Sequence, residues 1–217
     1  MSVDLGFITR IAPTLALGLA TTVALAIPAI VLSALWAIPV VVGLMARSRL
    51  VARITADYVE LVRNTPVLVQ MFFIFFGSGV LGFPLSGFVA ALLALVLQNG
   101  AYVAEIYRGG IRSVAQRQAE AGLALGLTKR KTFAIVVLPQ AIRKVVPSLS
   151  NQGILIIKDT SLAATISVAE LTFQARLLAD RTAAVFEIFF TLALFYLALT
   201  AIFAGAMRLV ERRVRIA

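Results

Sequence analysis

Residues 11–46 read IAPTLALGLATTVALAIPAIVLSALWAIPVVVGLMA and contain no charged side chain. A helix needs about 20 predominantly apolar residues to cross the hydrocarbon core of a bilayer, so this run is long enough to span a membrane. Two more uncharged runs occupy residues 64–104 and 188–207. Of the 217 residues, 61% are hydrophobic, against roughly 45–50% in soluble domains. The sequence therefore predicts an all-α membrane protein.

Glycine, proline and charged residues divide the remaining sequence into further helices. The segments 77–79 and 82–84 are glycine- and proline-rich breakers that make a short turn. Residues 47–63 mix charged and apolar side chains, a pattern typical of an amphipathic helix at the membrane surface. We predict a single transmembrane domain over residues 1–217, with five spans at about residues 15–46, 66–82, 85–107, 145–167 and 187–207.

The placement of charge predicts how these spans are oriented. If the spans alternate, sixteen Lys and Arg residues fall on one side of the membrane and three on the other, with Lys158 inside the membrane. Cytoplasmic loops are the ones enriched in Lys and Arg, so we predict an outside N-terminus and a cytoplasmic C-terminus. The net charge of +10 comes from clusters beside the apolar runs, which argues against a nucleic-acid partner.

The missing residue types exclude most kinds of catalytic chemistry. The chain contains no Cys and no His, which excludes disulfides, thiolate and imidazole metal sites, and Ser-His or Cys-His nucleophiles. No glycine loop ending in Lys-Ser or Lys-Thr is present to cradle the phosphates of ATP. We therefore predict no catalytic residue and no metal site, and expect this chain not to be an enzyme.

The longest polar stretch, residues 113–144, has the pattern of a helical hairpin. Gly126 is placed to end one short helix in the left-handed conformation, and Thr128 is placed to cap the next. We expect Pro139 to close the second helix. Small residues at 121, 122 and 124 would let this hairpin dock closely in a groove on another protein. An alternative is an ordinary hairpin that packs on its own bundle.

The hairpin sequence resembles the EAA loop of the permeases of bacterial ATP-binding cassette (ABC) importers. That pattern is EAA, three residues, G, nine residues, then I-x-L-P. Here EAGLALG at residues 120–126 is followed, after nine residues, by VVLP at residues 136–139. Gly122 and Val136 are the two departures from the pattern. The resemblance implies that contact with a separate ATPase is made by Glu120, Ala121, Gly122, Leu125 and Gly126.

Other segments are similar to the polar amino-acid subfamily of these permeases. They are RNTP at residues 63–66 with the following Gln70, the run AEIYRGGI at residues 104–111 with the leading Tyr102, and KDTSL at residues 158–162. The resemblance implies the type I importer permease fold in the bacterial inner membrane. It also implies as partners an ATP-binding subunit, a second permease subunit, an extracytoplasmic amino-acid-binding protein and membrane lipid. ATP and Mg would bind the ATPase, and this chain would bind no cofactor.

Eight polar residues within or beside the predicted spans are candidates for substrate contact. An Asp or Lys at the centre of a membrane helix costs about 2.5–3.5 kcal/mol on insertion scales, so Lys158 and Asp159 are expected to have a role. A zwitterionic amino acid presents one ammonium and one carboxylate, which these two side chains complement. The candidate set is Thr65, Gln70, Gln98, Asn99, Lys158, Asp159, Thr160 and Ser161.

Each of these candidates also has a structural interpretation. Lys158 and Asp159 could form an ion pair that ties helices together. As neighbours on a helix they point about 100° apart, so both reach one ligand only if the helix breaks. Thr160 and Ser161 could help to unwind it there. The amides of residues 98 and 99 could bond to a neighbouring helix, and Thr65 could be a helix cap.

Two other functions are compatible with parts of this sequence. A secondary transporter or channel for small polar solutes would also place polar residues inside the membrane, but it would need no docking hairpin. An intramembrane enzyme would need clustered carboxylates for a metal or a reactive base, and the sequence shows neither. We therefore favour the permease subunit of an importer that works by alternating access and is driven by a separate ATPase.

Overall fold

The structure is a computed structural model that describes residues 5–216, and all regular secondary structure in that range is helical. Its elements, in chain order, are α1 (Leu5–Leu44), α2 (Arg49–Arg63), α3 (Val67–Val80), α4 (Gly87–Arg112), α5 (Gln116–Ala124), α6 (Lys129–Thr132), a π-helical turn (Phe133–Val137), α7 (Leu138–Asp159), a 3-10 segment (Thr160–Ile166), α8 (Leu171–Thr182) and α9 (Val185–Ile216). The predicted all-α class is confirmed.

Four helical stretches of the described chain are long and apolar enough to cross a membrane. They are Thr9–Leu44, Gly87–Arg112, Lys129–Ile166 and Val185–Val214. A fifth candidate is the pair formed by α2 and α3, which are bent by 101° at a short break. Counting this pair as one span gives five, the number predicted. Its two helices correspond to the predicted surface helix at residues 47–63 and the predicted second span at residues 66–82.

The break between α2 and α3 is tied together by side chains. Pro66 stands just before α3, and Thr65 Oγ1 donates to the carbonyl of Leu61 at 2.8 Å. Gln70 Nε2 donates to the carbonyls of Val62 and Thr65 at 2.9 and 3.0 Å. Thr65 thus caps the end of α2, whereas the sequence suggested a cap for the following helix. These bonds satisfy carbonyls that the bend removes from helical pairing.

Helix α4 is central to the bundle, since it packs against α1, α2, α3 and α7. Its buried face consists largely of alanine and glycine. A side chain at Gly100 would collide with Trp36 of α1, and one at Gly110 would collide with Val145 of α7. Small residues of this kind let membrane helices approach closely, where packing and not water exclusion drives association.

The helical run around Pro139 differs from the prediction. We expected Pro139 to close the second short helix and the fourth span to begin near residues 145–147. Instead α6, the π-helical turn and α7 follow one another without a gap, and Pro139 lies in the first turn of α7. The wider π pairing accommodates the missing proline donor, and Gln140 Nε2 donates to the carbonyl of Val136 at 2.9 Å.

Helix α8 was not predicted. It packs between α1, α9 and the 3-10 segment, and its first turn is capped by Glu170, whose side chain accepts a hydrogen bond from the Phe173 N–H at 2.8 Å. The sequence signal was present but weak: a carboxylate three residues before a helical amide, within a segment of mixed polarity.

Candidate coupling and substrate sites

The polar hairpin has the local geometry that its sequence indicates. After α5, Gly126 adopts a φ of +79°, a left-handed conformation that favours glycine over side chains with a Cβ. The Leu127 N–H donates to the Gly122 carbonyl across this turn at 3.2 Å. Thr128 then caps α6 by accepting from the Lys131 N–H at 3.4 Å. The predicted turn and cap are therefore both present.

The outer surface of the hairpin is available for contact with another protein. Glu120, Ala121, Leu125 and Gly126 are exposed, Leu125 to 83%. The Glu120 carboxylate accepts from Gln116 Nε2 at 2.8 Å.

Gly122 has a different place, because it is buried against α6. A Cβ added at Gly122 would lie 2.8 Å from Thr132 Cγ2. This explains physically why glycine stands where the EAA pattern has alanine: the absence of a side chain lets α5 close onto α6. Gly122 therefore shapes the hairpin, while the other four residues of the predicted coupling set form its outer surface.

Lys158, Asp159, Thr160 and Ser161 lie where α7 changes into the 3-10 segment. The Lys158 side chain is exposed, and Asp159 is only partly buried. Thr160 is fully buried and donates from Oγ1 to the Ile157 carbonyl at 2.7 Å. The chain stays helical after Asp159, and three residues per turn in the 3-10 segment place adjacent side chains about 120° apart.

The amide pair on α4 is split between two environments. Asn99 is 2% exposed; its Nδ2 donates to the Leu95 carbonyl at 2.8 Å, and its Oδ1 accepts from Gln152 Nε2 at 2.7 Å. Asn99 therefore joins α4 to α7, as the helix-bonding alternative expected, through a partner residue that sequence reasoning did not identify. Gln98 Oε1 is buried and has no hydrogen-bond partner within the described chain, so it has capacity to accept a bond from a ligand.

Thr65 and Gln70 belong to the α2–α3 junction, where the bonds described above use both side chains. Beside that junction lies a small pocket of about 310 Å³. The Arg63 guanidinium stands 4.8 Å from the centre of the Tyr102 ring, and Glu105, which also lines the pocket, is paired with Arg108. The eight substrate candidates thus form three groups, at this junction, at the middle of α4 and at the end of α7.

A buried network around Glu170 joins three helices. Glu170 is fully buried, and its carboxylate accepts from the Tyr196 hydroxyl of α9 at 2.9 Å and from the Thr22 hydroxyl of α1 at 3.4 Å. Thr22 Oγ1 also accepts from the Leu171 N–H at 3.1 Å. Sequence reasoning missed this site because its members are 26 and 148 residues away from Glu170 in the chain.

Helices long enough to span a membrane, with polar side chains inside the bundle, place this chain in the class of multi-span membrane proteins. The chain belongs to the family of binding-protein-dependent transport system inner membrane components, whose family model matches residues 29–216.

Relatives of known type agree with this family. The chain is 40% identical over 161 residues to the glutamine transport system permease protein GlnP of Escherichia coli (strain K12), which covers 73% of this chain and 74% of that protein. It is 35% identical over 218 residues to the nopaline transport system permease protein NocM of Agrobacterium fabrum. That alignment covers 96% of this chain and 90% of NocM.

Solved structures show the same fold. An amino acid ABC transporter crystallised with histidines matches with a TM-score of 0.92 at 32% identity, over 98% of this chain and 100% of that one. The MetNI methionine ABC transporter matches with a TM-score of 0.79 at 18% identity, over 93% of this chain and 96% of that one. The predicted fold of a type I ABC-importer permease is therefore confirmed.

Replacing Glu170 with alanine is expected to destabilise the bundle. The change removes a helix cap, worth about 0.5–2 kcal/mol, and leaves buried hydroxyl donors without an acceptor, at about 1–3 kcal/mol. Glu170→Gln keeps one acceptor oxygen and should lower the stability of the bundle less than Glu170→Ala does. The measurement is the thermal unfolding midpoint of the purified protein, with Glu60→Ala on the exposed face of α2 as control. Equal midpoints for Glu170→Ala and this control would contradict the role of the network.

Proposed function

We propose that this chain is the membrane-spanning subunit of an ATP-driven importer of polar amino acids. The observation that carries the proposal is the exposed hairpin with its left-handed Gly126 and EAA spacing, in a chain of the transport family. Relatives named for glutamine and nopaline transport support amino-acid substrates. The partners are an ATP-binding subunit, which holds ATP and Mg, a second permease subunit, identical or related, and an extracytoplasmic binding protein.

Force reaches the membrane through the helical run that follows the hairpin. From Lys129 to Ile166 this run forms one candidate span, so a displacement of α6 is passed directly into α7. Closure of two ATPases draws two hairpins together, tilts the bundles and changes the side of the membrane from which substrate is reached. Such alternating access requires two states that are close in free energy.

The hairpin faces the cytoplasm in this proposal, with the N-terminus outside. The excess of Lys and Arg on that side supports the orientation. Because the chain contains no Cys, Glu120→Cys carries a single thiol for labelling. We expect a membrane-impermeant maleimide to label it in inside-out vesicles and not in intact cells. Labelling in intact cells would contradict both the orientation and the coupling role.

Replacing Gly126 with valine is expected to uncouple transport from ATP hydrolysis. A β-branched residue at this φ costs about 1–3 kcal/mol, which distorts the turn and should lower ATP-driven uptake roughly tenfold or more. The measurement is uptake by proteoliposomes that contain the assembled transporter.

Two controls accompany the Gly126 variant. Asparagine tolerates the left-handed conformation, so Gly126→Asn should retain most uptake. Gly109→Val changes a glycine with open space around it and should also retain uptake. Normal uptake by Gly126→Val, or substrate flux through this chain without any ATPase, would overturn the proposed coupling; the latter result would indicate a secondary transporter or channel.

The substrate site is proposed from two of the three groups of candidates, the end of α7 and the amide face at the middle of α4. Lys158 and Asp159 offer the charges that complement an amino-acid zwitterion, and Gln98 Oε1 offers an acceptor that has no partner among the described residues. Thr160 and Ser161 begin the 3-10 segment that follows α7. Asn99, Thr65 and Gln70 stay in the proposed set although their side chains already bond to protein groups. We infer that these three act through position more than by direct contact.

Neutralising the two charges separately is expected to weaken substrate recognition without loss of assembly. Asp159→Asn and Lys158→Gln should each reduce substrate-stimulated ATPase activity by about fivefold or more, since a charge-assisted bond contributes about 1.5–3 kcal/mol. The comparison is Asp57→Asn, which removes the exposed partner of Arg53 on α2. Unchanged stimulation in both variants would show that the pair is structural.

A further inference from the structure

An apolar groove lies between α1, α4, the π-helical turn and α7, near the ends of these helices that carry the basic residues. Its volume is about 880 Å³, within the range of about 300–1,000 Å³ for ligand sites. Representative wall residues are Val42 of α1, Met45 just after that helix, Ile111 of α4, Phe133 of the turn, and Ile142 of α7. We call this cavity the basic-end groove.

The chemistry of the basic-end groove restricts what can occupy it. All of its wall residues but one have wholly apolar side chains. The exception is Tyr107, whose hydroxyl already donates to the Ala34 carbonyl at 3.4 Å. One hydroxyl that already donates is too little to satisfy a polar molecule in this groove, so its walls favour a hydrocarbon occupant.

The end of the groove is positively charged, because basic residues directly follow its wall residues in the sequence. Arg47 directly follows the wall residue Ala46, and Arg112 directly follows Ile111; both are exposed. Lys144 of α7 donates to the Ser113 carbonyl at 2.5 Å, which places its ammonium beside the end of α4. No acidic residue is adjacent in sequence to any wall residue. The end of the groove thus matches an anion.

We propose that the basic-end groove binds an anionic phospholipid of the surrounding bilayer, with an acyl chain between the helices and the phosphate near Arg47, Arg112 and Lys144. Basic pockets between membrane helices are known binding places for anionic headgroups. The wall helices belong to candidate membrane spans, so a lipid reaches the groove without leaving the bilayer. An uncharged or zwitterionic lipid fills the same space but gains less at the cationic end.

This site has a consequence for coupling that rests on the proposed function. Phe133 belongs to the π-helical turn that joins the hairpin to α7, and turns of this kind are local interruptions of helical pairing. An acyl chain that packs between Phe133 and the helices α1 and α4 restricts the movement of that turn. The lipid therefore stiffens the connection through which the hairpin moves the membrane helices.

Fluorescence quenching by brominated lipid tests the site directly and needs no transport activity. The cysteine-free chain accepts a single bimane label through Val42→Cys, at a wall residue that is 65% exposed, or through Val31→Cys, 51% exposed on the same helix outside the groove. The assembled transporter is reconstituted in phosphatidylcholine nanodiscs with brominated phosphatidylglycerol or brominated phosphatidylcholine as a minor component.

We expect brominated phosphatidylglycerol to quench the label at position 42 more strongly than brominated phosphatidylcholine does, and both lipids to quench equally at position 31. Arg47→Gln or Arg112→Gln should each reduce the preference at position 42 by about fivefold, from about 1 kcal/mol per cation at a membrane surface. Arg212→Gln on α9, remote from the groove in the chain, should leave it unchanged.

Two results would overturn the proposal. Equal quenching by the two lipids at position 42 would mean ordinary contact with bulk lipid. Absence of quenching there, with normal quenching at position 31, would mean that protein, such as a second permease subunit, covers the groove. Either result leaves the transport function open, because uptake by the assembled complex is measured separately.

Discussion

Backbone groups that leave helical pairing inside a membrane must find new partners, because hydrocarbon offers none. This constraint governs each interruption of the bundle. At the α2–α3 bend, Gln70 bonds two freed carbonyls. At the π-helical turn, Gln140 bonds the Val136 carbonyl. At the start of α8, Glu170 accepts the Phe173 amide. Long polar side chains thus make it possible for a very apolar chain to bend where function needs it.

Close packing around α4 holds the helices on either side of these interruptions in fixed positions. Alanine and glycine on its buried face let α1 and α7 approach, and the Asn99–Gln152 bond fixes α4 and α7 relative to each other. A bundle of this kind transmits displacement because its interior is closely packed and resists continuous deformation. The run from α6 to α7 is continuous with these packed helices, which is the route that the proposed coupling would use.

Much of the fold could be predicted from the sequence, because the strongest signals are local. Uncharged runs indicated the spans, and Gly126 and Thr128 indicated the hairpin. Two features of the fold were not predicted correctly, the helix at Pro139 and the presence of α8. Pro139 is a helix breaker by propensity, yet a π-helical turn and Gln140 accommodate it. The part of the chain around α8 has ordinary polarity, and the Glu170 carboxylate at its start accepts hydrogen bonds from Thr22 and Tyr196, which lie far away in sequence.

The sequence by itself determined that this chain is helical, lies in a membrane, lacks the residues for thiol or imidazole chemistry, and carries a hairpin with EAA spacing. These properties depend on composition and short-range pattern. Only the tertiary structure decided that Asn99 bonds Gln152 while Gln98 Oε1 finds no partner in the part of the chain that the structure describes, that Glu170 is shared by three helices, and that an apolar groove ends near basic residues. The reason is physical: burial and hydrogen-bond partners depend on which helices meet, and residues that meet are often far apart in the chain.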